Sequence, residues 1–113
     1  MRPESRTLLN HALGACDSIS RFVRGLTWDD YAGSDLVRSA VERQFEIVGE
    51  AIANLRKSDA GIARRIPDLN QIVAFRNVLI HRYVEVDDRV VWSLVEGKLS
   101  ALRAALQGLL AQP

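Results

Sequence analysis

The amino-acid sequence predicts an all-α fold, an antiparallel four-helix bundle with one short extra helical turn. Seven glycines and three prolines are few turn formers for 113 residues. Apolar residues recur at steps of three and four along four segments, and the connections between these segments are short. Because isolated amphipathic helices of this length are unstable in water, the apolar faces must pack together. We expect a single domain over residues 1–113.

The first predicted helix covers residues 4–25 and is closed by Gly25. Thr27 and Asp30 then have the spacing of a capping box, with Asp in the place of Glu, which predicts a short helical turn around Trp28. The apolar stripe of this first helix consists of Leu8, Ala12, Ala15, Ile19, Phe22 and Leu26.

The second predicted helix covers residues 35–57 and follows two good N-cap residues, Ser34 and Asp35. It carries more apolar residues than one stripe needs, so we expect it to contact several neighbours and to lie at the centre of the bundle. The segment 58–67 is polar and contains glycine, which predicts a loop.

The last two predicted helices complete the bundle. The third begins after Pro67, with Asp68 as its candidate cap, and the fourth begins after Asp87 or Asp88. The fourth helix runs without a break to the end of the chain, with the apolar stripe Val91, Val95, Leu99, Leu102, Leu106 and Leu109.

Composition narrows the function classes. The chain is 48% apolar and 26% charged, and its net charge of +1 argues against holding nucleic acid by bulk attraction. Its one cysteine, Cys16, cannot form an internal disulfide or a multi-thiolate zinc site, which favours a reducing compartment, the cytoplasm. Since no apolar run has the length of a signal peptide or a membrane span, we expect neither secretion nor membrane insertion.

Polar side chains collect at the end of the third predicted helix. Asn77 and His81 are four residues apart and share a face, and the long side chain of Arg76 can reach the same point. Residues 78–80 are expected to point mostly into the bundle. Arginine binds phosphate and histidine exchanges protons near neutral pH, which suits phosphodiester chemistry. The alternative is that these groups only cap and solvate a helix end.

Two blocks of sequence resemble a known family. The run Arg76-Asn77-x-x-x-His81-x-Tyr83 resembles the R-x4-6-H signature, in its R-N-x-x-x-H-x-Y form, of the HepT-like toxins of the HEPN superfamily. Residues 40–51, AVERQFEIVGEA, are similar to that family's A-V-E-R-x-x-E-I-I-G-E-A helix. Asp68 departs from the family pattern, in which Trp often follows Ile-Pro.

The resemblance implies an all-α HEPN bundle and a metal-independent ribonuclease toxin that needs no cofactor. Arg76 and His81 would be the catalytic pair and Asn77 a polar support. The implied assembly is a homodimer with two motifs facing one cleft. The implied partner is an MntA-like nucleotidyltransferase antitoxin, and Tyr83 would be the residue that it modifies with AMP.

The residues themselves add a constraint to this picture. Cleavage of RNA through its own 2′-hydroxyl needs a base, an acid and positive charge at the phosphate. The only other histidine, His11, lies in the first helix and is expected to be a surface or packing residue. Two facing motifs would supply two copies of His81, so a dimer could complete a site that a monomer lacks.

Charged residues near the motif leave alternatives open. Glu42, Glu46 and Glu50 share a helix face, and they form either a solvated stripe paired with arginines or a support in which Glu50 orients the motif. The segment between residues 56 and 83 contains six Lys and Arg residues and two acidic residues, a local excess of +4 charges. The candidates for binding RNA in this segment are Arg64, Arg65 and Arg82.

Two other classes of function remain possible from the sequence. One is a non-catalytic docking module for a nucleotidyltransferase, with the motif as a modification or nucleotide-binding site. The other is a plain structural dimer, which leaves the polar cluster unexplained. Trp28 and Trp92 are expected to be core or interface anchors, and Cys16 is expected to be buried and inert.

Overall fold

The structure is a computed structural model that describes residues 1–81 and 85–113. Those residues form α-helices and no strand, which confirms the predicted all-α class. The helices are α1 (Pro3–Phe22), α2 (Trp28–Ala32), α3 (Asp35–Ser58), α4 (Ala60–Ala63), α5 (Leu69–His81), α6 (Asp88–Gly97) and α7 (Leu99–Leu110).

Helix α3 is the centre of the bundle, as the sequence predicted. It packs against α1 along most of its length, and α5 covers another of its faces. Helix α7 packs against α1 and α6, and the short α2 bridges α3 and α6. The fully buried side chains include Leu9, Ile19, Val48, Leu55 and Leu106.

The predicted helix starts are confirmed at three positions. Thr27 and Asp30 form a reciprocal capping box, in which each backbone N–H donates to the other residue's side chain. The Ser34 hydroxyl accepts a hydrogen bond from the Val37 N–H at 3.2 Å, and the Asp87 carboxylate accepts one from the Arg89 N–H at 2.9 Å.

Three boundaries differ from the prediction. Helix α1 ends at Phe22, three residues before the predicted closing residue Gly25. The fourth predicted helix is divided at Lys98 into α6 and α7, because Gly97 is a poor helix former and Lys98 leaves helical geometry with φ −123°. The segment predicted as a loop contains the single turn α4, whose start is capped by the Asp59 side chain.

Asp68 does not cap α5 with its side chain. It adopts φ +59°, a left-handed conformation that aspartate tolerates better than most residues, and its carboxylate pairs with Lys98 at 3.4 Å. The ion pair joins Asp68, the residue before α5, to Lys98 at the junction of α6 and α7.

Several expectations about single side chains are met. Cys16 is fully buried, and this burial raises the pKa of its thiol to about 12, so it stays protonated at neutral pH. Trp92 is buried against Tyr31, with ring centroids 5.1 Å apart, and Trp28 borders the same cluster. His11 is exposed on α1.

Among the described residues, no helix is both long enough and apolar enough to cross a membrane.

Candidate active site

Helix α5 carries the polar residues that the sequence singled out. Arg76 and Asn77 lie in its last two turns, and His81 is its final residue. Asn77 and His81 are exposed, whereas Arg76 is half-buried. One helix end therefore presents an imidazole and an amide to solvent, with a partly sheltered guanidinium beside the amide.

The guanidinium of Arg76 is held by its neighbour. Its Nη1 donates to the Asn77 Oδ1 at 2.9 Å. Its Nε is buried and has no hydrogen-bond partner within the described part of the chain. This bond is consistent with the predicted supporting role of Asn77, because it fixes one edge of the guanidinium and leaves other donors of the fork for an anion.

The stem of Arg76 lies directly on the backbone of α3. A Cβ atom built on Gly49 would be 2.2 Å from the Arg76 Cβ and 2.7 Å from its Cγ. Real carbon atoms do not approach so closely, so only glycine fits at position 49 in this packing. Gly49 lies inside the family-like block of residues 40–51, and the sequence alone indicated no role for it.

Helices α3 and α5 run antiparallel, which decides which residues of α3 lie near the site. Arg56 donates to the Asn70 Oδ1 at 3.2 Å, at the start of α5, and Gly49 meets Arg76 two turns later. Residues of α3 that precede Gly49 are therefore level with the His81 end of α5.

The acidic residues of α3 differ in burial. Glu42 is only 7% exposed. Glu46 pairs with Arg43 at 3.1 Å, as the solvated-stripe interpretation expected, but its side chain is only 14% exposed and is therefore not solvated as that interpretation required. Glu50 is exposed and forms no hydrogen bond or ion pair with any described residue. Its predicted role as a support of the motif stays a prediction.

For Glu42 the predicted solvated stripe is wrong, since this residue is buried. It lines a polar pocket with Arg38, Asp88 and other residues, and burial together with the Glu42 charge raises the pKa of the Tyr31 hydroxyl. A signal was present in the sequence. Glu42, Phe45, Gly49 and Ile52 form a second stripe at steps of three, four and three, and its members are buried.

The predicted RNA-binding residues Arg64 and Arg65 lie away from His81. Arg64 and Arg65 precede α5, at the end opposite to His81, and α5 spans roughly 18 Å between Leu69 and His81 at 1.5 Å per residue. Arg65 donates to the Gln112 Oε1 at 2.7 Å, whereas Arg64 is exposed. An RNA strand that touches His81 and Arg64 together would have to follow the length of α5.

Two further predicted residues, Arg82 and Tyr83, lie outside the described residues. Within residues 1–81 and 85–113, no group of three or more His, Cys, Asp or Glu residues is arranged to hold a metal ion.

Apolar side chains border the polar group. Leu79 is fully buried, but Val78 is 53% exposed and Ile80 is 43% exposed, so the expectation that all of residues 78–80 point into the bundle is wrong for two of them. Helix α5 packs mainly on α3, and positions 78 and 80 therefore face outward. The surface around Asn77 and His81 is apolar at its edges.

Comparison with known proteins assigns the family. The family model described as "Ribonuclease HepT-like" matches residues 12–109. The chain belongs to this family. The matched range of this HepT-like chain contains both Arg76 and His81, together with Gly49. The family likeness seen in the two sequence blocks is thereby confirmed.

Relatives with similar names cover nearly the whole chain. A "Putative RNase" of Caldanaerobacter subterraneus subsp. tengcongensis is 29% identical over 93% of this chain and 93% of its own length. A "Probable ribonuclease HepT" of Thermococcus cleftensis is 28% identical over 96% of this chain and 98% of its own length.

A third relative is longer. The "Gamma-glutamylcyclotransferase and putative RNase" of Methanocaldococcus jannaschii is 32% identical over 91% of this chain, which corresponds to 46% of that protein. No solved structure matches the chain.

Proposed function

We propose that this HepT-like chain is the toxin of a toxin–antitoxin pair, a metal-independent endoribonuclease that cuts RNA with Arg76 and His81 at a homodimer cleft. The observation that carries the proposal is the end of α5, where Asn77 holds the half-buried guanidinium of Arg76 and shares an exposed helix face with His81, four residues further along. The family match supports RNA as the substrate.

The reaction uses groups that α5 supplies. His81 of one protomer takes the proton from the ribose 2′-hydroxyl, and the 2′-oxygen forms a bond to phosphorus. The bond from phosphorus to the 5′-oxygen breaks, and the protonated His81 of the partner subunit gives its proton to that oxygen. Arg76 stabilises the charge that grows on the phosphoryl oxygens. The products are a 2′,3′-cyclic phosphate and a 5′-hydroxyl.

The homodimer is part of this proposal because one chain offers one suitable histidine. Its support is the exposed apolar pair Val78 and Ile80, which borders Asn77 and His81 on α5. Val78 and Ile80 are already about half covered, so burial of the remainder against a second copy is favourable by roughly 1 kcal/mol for each residue, about half of the value for complete burial. A dimer through this surface brings two copies of α5 together, and with them two histidines.

The decisive experiment measures cleavage of a labelled single-stranded or loop RNA in the presence of EDTA. We expect cleavage by the unmodified protein. His81→Ala should reduce the rate by about 10²–10⁴-fold and Arg76→Ala by about 10²–10³-fold, the usual losses for an acid–base group and for a charge-stabilising group. His11→Ala removes the other histidine and should leave the rate unchanged.

Two results would contradict the enzyme. One is cleavage that survives both substitutions, and the other is cleavage that requires a divalent ion. If the protein binds a nucleotidyltransferase tightly but cleaves no RNA, the docking-module alternative takes its place.

The proposed control of the toxin is a separate claim. An MntA-like nucleotidyltransferase antitoxin neutralises the toxin and transfers AMP to the hydroxyl of Tyr83. After coexpression with such an enzyme, intact-mass spectrometry should find the mass of one AMP group on the wild type and none on Tyr83→Phe. An adduct that persists on Tyr83→Phe would place the modification elsewhere and remove this part of the proposal.

A further inference from the structure

We propose that Gly49 is the positioning residue of the site, the seat on α3 that fixes Arg76 before RNA binds. Its catalytic consequence rests on the proposed function, whereas the seat itself is a property of the folded chain. The inference begins with the close approach of the two residues, in which a Cβ on Gly49 would be 2.2 Å from the Arg76 Cβ.

The contact involves the part of Arg76 that cannot move away. The Cβ and Cγ atoms are next to the backbone of α5, so a new methyl group at position 49 could not be avoided by swinging the end of the side chain. To reach ordinary contact at 3.4 Å, the two Cβ atoms would have to separate by a further 1.2 Å. That shift moves α5 relative to α3 or moves Arg76 within α5.

The other helical glycines do not have such a neighbour. A Cβ built on Gly14, Gly97 or Gly108 meets nothing within 4 Å. Glycine inside a helix weakens it relative to alanine, and Gly49 lies within the long α3. Packing explains why glycine is nevertheless present there, since Gly49 is buried and the Arg76 stem occupies the space of a side chain.

The seat orders the charged end of the side chain as well. With the stem held against α3, the Nε of Arg76 is buried and the Nη1 reaches the Asn77 Oδ1. Arginine is a long, flexible side chain, and a guanidinium that is already fixed loses less freedom when it binds a phosphoryl group. Gly49 therefore acts through Arg76 without touching the substrate.

Nuclear magnetic resonance tests the seat without any RNA. In the wild type we expect contacts between the Gly49 Hα and the Arg76 Hβ and Hγ protons, and slow solvent exchange of the Arg76 Nε–H, identified by its loss in Arg76→Lys. The Nε–H of Arg43, whose side chain is 62% exposed, is the fast-exchanging reference. Absence of the contacts, or equal exchange at Arg76 and Arg43, would overturn the inference.

Kinetics of Gly49→Ala test the consequence for catalysis. A displacement of about 1 Å at a reacting group can cost on the order of 100-fold in rate, so we expect kcat to fall by about that factor with little change in KM. The Arg76 Nε–H should exchange faster in the same variant. Gly14→Ala and Gly108→Ala are matched controls, and both should keep the wild-type kcat.

The outcomes separate the two proposals. If Gly49→Ala retains both the wild-type kcat and a protected Nε–H, the positioning role is wrong. If the wild type cleaves no RNA, the proposed function fails, and the proton contacts still decide whether the seat exists. If Gly49→Ala does not fold, the same wild-type measurements decide it.

Discussion

A short hydrogen bond between Ser5 and Asp59 joins the start of α1 to the end of α3. The Ser5 hydroxyl, in the first turn of α1, donates to the Asp59 Oδ2 at 2.5 Å, and Asp59 also caps α4. Ser5 is buried, and Arg2 pairs with the same carboxylate at 3.6 Å. These contacts connect the beginning of the chain to the end of α3.

The same contacts make this junction sensitive to acid. The hydrogen bond from Ser5 lowers the pKa of Asp59 most, burial opposes it, and the Ile62 N–H and Arg2 add to the lowering. A carboxyl with a lowered pKa in the folded state stabilises the protein at a pH above its unfolded pKa. This stability is lost as the pH falls through the folded pKa.

Ser5→Ala tests this linkage. We expect the variant to be less stable than the wild type at about pH 5–7, with a difference that shrinks as the pH falls below the usual carboxyl range. Urea unfolding at several pH values measures it. Thr7→Ala removes an exposed hydroxyl of the same helix, which donates only to the Pro3 carbonyl, and should show no such pH dependence. A Ser5→Ala difference that is constant down to pH 2 would contradict the assignment.

At the scale of single elements, α5 is attached to the bundle mainly on one side. Phe75 packs edge-on against Phe45 of α3, with ring centroids 5.7 Å apart. A small apolar cavity of about 90 Å³ lies between α5 and the α6–α7 segment, and the Asp68–Lys98 ion pair lies at its border. The helix that carries the site therefore depends on α3 for its position.

Substitution of the N-cap residue of α3 measures how much one local capping interaction contributes to the free energy of unfolding. Ser34 caps the helix through the Val37 N–H, so Ser34→Ala should lower the free energy of unfolding by about 1 kcal/mol. Ser39 is exposed within the same helix and caps nothing, so Ser39→Ala should change it by less than about 0.5 kcal/mol. Thermal and urea unfolding check the pair, and equal effects of the two substitutions would contradict the capping role.

Local signals of this kind explain which elements the sequence could predict. A cap needs two residues close in the chain, and Thr27, Ser34 and Asp87 all cap as their types and spacing indicate. Apolar periodicity located the four long segments for the same reason. The periodicity did not reveal the break at Lys98, because the stripe of apolar residues continues across α6 and α7 with the same spacing.

Features that depend on tertiary packing were not predictable in this way. Val78 and Ile80 point outward because α5 lies at the edge of the bundle. No local sequence pattern indicates that position. The seat at Gly49 needs the register of α3 against α5. The candidate catalytic residues themselves were found because Arg76 and His81 lie close together in the chain, on one helix.

At the scale of the whole molecule, charge and apolar surface lie in different places. The described arginines of the basic segment are mostly at the α4 end, where Arg65 binds Gln112 and Arg56 binds Asn70. The exposed apolar pair Val78 and Ile80 is at the His81 end of α5. In the proposed dimer, the apolar end would pack against a second copy of the chain, and the basic end would contact a strand that leaves the cleft.

A composite site makes activity depend on both protomers, which mixing experiments can measure. If one His81 acts as the base and its counterpart as the acid, a dimer of wild type with His81→Ala is inactive. At equal amounts, after subunit exchange, about one quarter of the dimers contain two wild-type chains, so half of the wild-type activity is lost. Activity should follow the square of the wild-type fraction, whereas independent sites would leave it unchanged per wild-type chain.

A matched pair of variants separates the loss of activity in mixed dimers from the simple dilution of wild-type chains. Ile80→Glu places a charge on the apolar surface of α5 and should yield monomers in sedimentation analysis, whereas Leu36→Glu, at an 81% exposed position of α3, should not. The double variant Ile80→Glu/His81→Ala cannot enter a dimer and should leave wild-type activity untouched. A linear dependence on the wild-type fraction in the first experiment would mean that each chain carries a complete site, and suppression by the double variant would mean that Ile80 does not lie in the dimer interface.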